Sequence, residues 1–178
     1  MKATLLEKAL KRVQKHSNMW RYVAIGLGLG ATFVLFVSAK KRSVLKKDGK
    51  GVARFLMGLG YSKANASGIA GNIYTESKYD PQAIGDNGTS FGLAQWHKSR
   101  WDRLKNWSDE RGLDINFFDT QLRFIDWELN NTEKRAKSEL LATNTPRESA
   151  FAFAKYYERP QRISEQRMNK AEEIYNRL

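Results

Sequence analysis

The chain has 178 residues, 41% of them hydrophobic and 12% aromatic, and no cysteine. That suffices to bury one core and excludes a disulfide framework, a thiolate metal cage and a cysteine nucleophile. The formal charge of +12 points to nucleic acid only until it is divided: residues 1–50 carry +10 and residues 51–178 only +2. A nucleic-acid enzyme holds its basic surface on the folded domain, so nucleic acid remains only as a side role of the basic N-terminus.

Residues 1–19 form a basic segment in which Leu5, Leu6, Leu10 and Val13 fall near helical spacing. This suits a helix lying on an anionic membrane surface, and a solvated basic tail reads from the same residues. From Tyr22 to Ala39 there are 18 residues without a charge, about 27 Å of helix. Trp20, Arg21 and Tyr22 before the run and Lys40, Lys41 and Arg42 after it resemble interfacial anchors. The expectation is a single transmembrane helix over residues 20–39, in contact with a lipid bilayer. A buried core helix and a signal peptide cut after Val37-Ser38-Ala39 are the alternatives. Six Lys and Arg on each side of the run leave orientation open, and Gly26 with Gly30 makes a GxxxG through which two spans can associate.

Residues 40–50 read as a basic linker, and residues 51–178 as the folded domain. Val52, Phe55, Leu56 and Leu59 share a helical face that Gly60 terminates, and Ser62 caps a second helix that runs to Glu76. Between residues 78 and 95, Pro81, Gly85, Asn87-Gly88 and Gly92 break helical periodicity and predict a loop or small β-hairpin. Helices resume at 97–111, 116–130, 133–142, 146–157 and 164–177. The clearest start is Thr145-Pro146-Arg147-Glu148, a capping box with proline at the first helical position. The fold class is α+β, a mostly helical domain with a small hairpin or loop.

A helix that ends in an acid and runs into a Gly-rich returning loop is a way to set a carboxyl in a cleft. Glu76 holds that position, where the negative end of the helix dipole favours the protonated form that a general acid needs. A surface helix-end glutamate fits the same residues. Only His16 and His97 are present, which do not build a zinc site of the usual type, so neither metal nor cofactor is expected.

Gly71-Asn72-Ile73-Tyr74-Thr75-Glu76-Ser77, Tyr79-Asp80-Pro81, Gly85 to Trp96, Gln121 to Ile125 with Glu128-Leu129, and Tyr157-Glu158-Arg159-Pro160 together resemble the phage tail lysozyme family. They are more distantly similar to goose-type lysozymes and lytic transglycosylases. The resemblance implies a lysozyme-like fold that cleaves the β-1,4 bond between N-acetylmuramic acid and N-acetylglucosamine in peptidoglycan, with Glu76 as general acid. Asp86 is the leading second carboxylate, with the holding of the Asp-Asn-Gly bend as its other role. Ser90 and Gln95 would line the groove, Gln95 alternatively acting as a cap, while Trp96 and Tyr157 would stack on sugar faces. Trp101, Trp107 and Trp127 suit the core better, and Tyr74 fits either role. Glu128 and Glu158 are either part of the site or buried structural acids, Glu158 then paired with Arg159 or Arg123.

The expectation is therefore a membrane-anchored muramidase of a virion membrane or host inner membrane, its C-terminal domain facing the peptidoglycan. A lytic transglycosylase and a non-catalytic glycan-binding virion protein are the alternatives.

Overall fold

A computed structural model describes residues 45–178 in full and the backbone of residues 20–24 and 34–38. The chain divides into two units, Met1–Val44 and Leu45–Leu178. In the first, strands β1 (Trp20–Ala24) and β2 (Val34–Ser38) pair antiparallel, with Trp20 opposite Ser38 and Ala24 opposite Val34. These strands stand at the two ends of the apolar run for which a membrane-spanning helix was expected, and that expectation is corrected there. Val23, Val34, Phe36 and Val37 are strand-favouring types, and an apolar run does not by its periodicity distinguish helix from strand. Among the described residues no helix is long and apolar enough to cross a membrane. The basic segment 1–19 and the Gly26/Gly30 pair lie outside the described residues.

The second unit is mostly helical. Helix α1 (Gly49–Gly58) starts inside the expected linker, because the Asp48 carboxylate accepts a hydrogen bond from the Gly51 N–H at 2.7 Å and so caps the helix. Gly60 follows at φ +99°, a left-handed conformation that glycine enters without strain. Helix α2 (Lys63–Ser77) is capped by Ser62 and buries every residue from Ala64 to Ile73. Its sequence is small all round, as suits a helix enclosed on all sides. A Cβ on Gly68 would lie 2.5 Å from the Ser149 side chain, and one on Gly71 would lie 2.6 Å from the Arg167 carbonyl oxygen. Glycine at these positions lets two further helices pack backbone to backbone against α2.

A three-stranded antiparallel sheet follows: β3 (Ile84–Gly85), β4 (Ser90–Phe91) and β5 (Trp96–His97), with β4 in the middle. The chain then runs through α3 (Lys98–Asp109), α4 (Phe118–Asn131), α5 (Lys134–Leu141) and α6 (Pro146–Phe153). A π-helical turn, Ala154–Glu158, extends α6, and α7 (Glu165–Asn176) closes the fold against α2. The Thr145–Glu148 capping box forms as its sequence predicts. The core joins Val52, Leu56, Ile69 and Ile73 to Leu93, Leu104, Phe124 and Phe153. Trp107 belongs to it, and Trp101 and Trp127 pack on its margin.

Candidate functional site: a charged cleft at the end of the buried helix

The C-terminal turn of α2 opens into a cleft of about 570 Å³ whose lining includes Glu76, Asp86, Gln95, Arg100, Glu158 and Arg167. Lys78 caps α2 in the left-handed conformation, φ +54°, and turns the chain away from Glu76 toward the sheet. Glu76 is 17% exposed, and its Oε1 lies 2.6 Å from Nη2 of Arg167 on α7. The second arginine nitrogen, Nη1, donates to Asn72 Oδ1 at 2.9 Å. Asn72 is itself fixed one turn before Glu76, its Nδ2 donating to the carbonyls of Gly68 and Ala150, both at 2.9 Å. The three helices α2, α6 and α7 thereby share one polar network that ends on the Glu76 carboxylate.

The turn Asp86–Gly88, between β3 and β4, brings Asp86 into the lining of the same cleft. Asp86 and Asn87 both have positive φ, +48° and +54°, a conformation that Asp and Asn tolerate better than most side chains. The bend is held by the Asp86 carbonyl, which accepts from Thr89 Oγ1 at 2.8 Å. Its carboxylate is left exposed on the cleft wall.

Ser90 and Gln95 support this wall from within. Ser90 is fully buried and donates to Gln95 Oε1 at 2.8 Å, while Gln95 Nε2 donates to the Gly92 carbonyl at 3.0 Å. Gln95 thus lines the cleft with its amide engaged in the loop. Ser90 lies beneath the groove rather than along it, a correction that follows from its inward position in the central strand. Below both, Gln121 of α4 accepts from the Leu93 N–H and donates to the carbonyls of Pro81 and Ile115, each at 2.8 Å. Its place in a family-like block was visible in the sequence; its role as the tie between α4 and the loop was not.

Trp96 and Tyr157 do not reach the cleft, which corrects the expectation that they stack on sugars. Both have zero exposure, because the fully buried carboxylate of Glu128 draws them inward. Glu128 Oε2 accepts from Tyr157 OH at 2.6 Å, Trp96 Nε1 at 2.9 Å and Arg100 Nη2 at 2.8 Å, and Oε1 accepts from Arg100 Nε at 3.0 Å. Burial, with the Glu128 charge next, pushes the Tyr157 hydroxyl well above the ordinary phenol range, so it stays a proton donor. Glu128 is therefore the structural acid that its sequence allowed. The Tyr74 ring lies 4.0 Å from the Lys78 ammonium and 4.4 Å from that of Lys170, and takes no part in the cleft lining.

Glu158 is placed by the π-helical turn, which Arg159 ends at φ +56°. It pairs with neither arginine suggested by its sequence: Arg159 reaches Glu133 at 2.8 Å, and Arg123 faces Asp119 at 4.0 Å. Its Oε1 is sealed from solvent without a hydrogen-bond partner. Burial first, and the negative charge of Glu76 next, push its carboxyl well above the usual range, with Arg100 and Arg167 pulling the other way.

An acid at the end of a buried helix, facing a small antiparallel sheet across a charged cleft in a mostly helical domain, is a lysozyme-type arrangement. Residues 47–178 match the phage tail lysozyme family, and the chain belongs to that family. A curated relative is Morphogenesis protein 1 of Bacillus phage B103, 31% identical over 137 residues, which is 70% of this chain and 36% of that protein. The chain thus matches little more than a third of that relative's length.

Proposed function

We propose that this protein is a phage muramidase that hydrolyses the β-1,4 bond between N-acetylmuramic acid and N-acetylglucosamine in peptidoglycan. The observation that carries this reading is Glu76, held by Arg167 in a cleft that the exposed Asp86 also lines. Glycoside hydrolysis needs one carboxylic acid to protonate the leaving oxygen and a carboxylate to activate water or stabilise the oxocarbenium-like state. Glu76 takes the first role and Asp86 the second. The exposed, unbraced position of Asp86 favours one further reading, a lytic transglycosylase in which the substrate's own 6-hydroxyl closes a 1,6-anhydro ring.

Digestion of purified peptidoglycan by the full chain, with mass spectrometry of the fragments, distinguishes these. Reducing muropeptides mean hydrolysis, 1,6-anhydro products mean transglycosylation, and no release by the wild type leaves the glycan-binding alternative. Glu76→Gln is expected to lower release by about 10²–10⁴-fold, the usual worth of a general acid.

The B103 relative is named for morphogenesis, which supports placing this protein in the phage particle. The uncharged run from Tyr22 to Ala39 supports attachment to a membrane, with the enzyme on the side that meets the wall. Protease treatment of intact cells expressing the full chain tests the second point: a shielded C-terminal domain would contradict it.

A further inference from the structure

Glu158 shares the cleft with Glu76, yet the two-carboxylate scheme gives it no role. The charges around it are largely withdrawn from solvent, and among the described residues none forms an ion pair with Glu158. Glu76 from α2, Glu128 from α4 and Glu158 from the π-helical turn supply three carboxyl groups, against the guanidiniums of Arg100 from α3 and Arg167 from α7. Both guanidiniums form their ion pairs elsewhere, Arg167 with Glu76 at 2.6 Å and Arg100 with Glu128 at 2.8 Å, while the buried Arg167 Nε has no hydrogen-bond partner. Arg103 approaches Glu128 only from the half-exposed side, at 3.8 Å, and Arg159 is turned to Glu133. The remaining titratable groups of the lining, Asp86 and His97, are solvent-exposed. A carboxylate oxygen sealed from water without a donor is costly, and a proton removes most of that cost.

The geometry raises a second point. Glu76 as it stands is the partner of the Arg167 guanidinium at 2.6 Å, whereas the proposed chemistry asks it for a proton.

We propose that Glu158 is the proton-holding partner of Glu76: the two carboxyls carry one proton between them, seated on Glu158 in the empty cleft and passed to Glu76 when glycan displaces water. The inference rests on the muramidase reading for its catalytic half. In the transfer, Glu158 loses its proton and becomes a carboxylate facing Arg100 and Arg167. Glu76 gains that proton and then delivers it to the leaving glycosidic oxygen. The water that completes hydrolysis returns a proton to the pair. Glu158 acts through Glu76 and is a positioning residue. The upward push on its carboxyl, from burial and from the charge of Glu76, agrees with the resting seat of the proton, as does the further push from Glu128.

The test is a carboxyl titration by NMR of the full chain labelled at the glutamate side-chain carboxyls, in wild type, Glu76→Gln and Glu158→Gln. One glutamate should titrate well above the others in wild type, vanish in Glu158→Gln and move down in Glu76→Gln, which removes the neighbouring charge. No elevated glutamate, or one unmoved by Glu76→Gln, overturns the shared proton.

The second arm is the pH profile of peptidoglycan release. In Glu158→Gln the alkaline limb should move down by about one pH unit, a tenfold loss on that limb, with KM within about twofold, and Glu158→Asp should recover part of it. A uniform loss at every pH, or a loss confined to KM, overturns the relay. If Glu158→Gln does not fold, wild type against Glu76→Gln decides alone. If wild type releases nothing, the muramidase reading and the relay fail together, and the titration still decides whether the pair shares a proton.

Discussion

The two walls of the cleft are built on opposite plans. On the helical wall Glu76 is held by charge, and so is the buried Glu128 behind it. Glu76 is gripped by Arg167, and Glu128 by Arg100 together with the phenol of Tyr157 and the indole of Trp96. On the sheet wall the work is done by neutral amides and backbone carbonyls, with Gln95 and Gln121 tying the loop and Asp86 left in solvent. Charge placed on helices fixes a group against a rigid frame, whereas an amide-laced loop of left-handed residues holds its shape but leaves its outer carboxylate free to meet a substrate. Aim belongs to one wall and accommodation to the other.

The largest effect that would break this contrast is in the helical wall. Glu128→Gln leaves Arg100 without its buried partner and should cost about 3–5 kcal/mol of stability, the usual penalty for breaking a buried ion pair. Chemical denaturation measures it, and a cost below about 1 kcal/mol would mean that the wall is not organised by this charge. On the sheet wall, Asp86→Asn should leave the denaturation midpoint nearly unchanged and lower peptidoglycan release by about 10²-fold. Undiminished release with 1,6-anhydro products would remove Asp86 from the chemistry and favour the transglycosylase. The smallest change is expected from Gln121→Ala, which deprives the Leu93 N–H and two carbonyls of their partner. It should cost about 1–3 kcal/mol and raise KM more than it lowers kcat, because it loosens the loop and leaves Glu76 in place. A fall in kcat alone would show that the two walls are not separable.

Much of the fold was legible because its signals are local. Ser62, Gly60 and the Thr145–Glu148 box each act within four residues of the helix end they define, and helix bounds followed from them. The carboxyl at the end of α2 was legible for the same reason. Trp96 and Tyr157 were misread because an aromatic looks alike in a groove and in a core. What decides between them is Glu128, 32 residues from Trp96 and 29 from Tyr157. The partner of Glu158 was misread because a neighbouring arginine in sequence is no guide once the backbone at Arg159 turns left-handed. The apolar run after Trp20 was read as a helix from its length and hydropathy, but two five-residue strands joined by an apolar connection present the same uncharged stretch.

One consequence follows from the bare face of α2. Gly71 lies against the carbonyl oxygen of Arg167 itself, close enough that an added methyl would sit 2.6 Å from it. The missing side chain therefore works as a gauge block: it sets the stand-off between two helices, and with it the reach of a guanidinium to an acid one and a half turns away. A single methyl at a position that touches neither sugar nor solvent would detune the electrostatics of the cleft with every cleft residue still present.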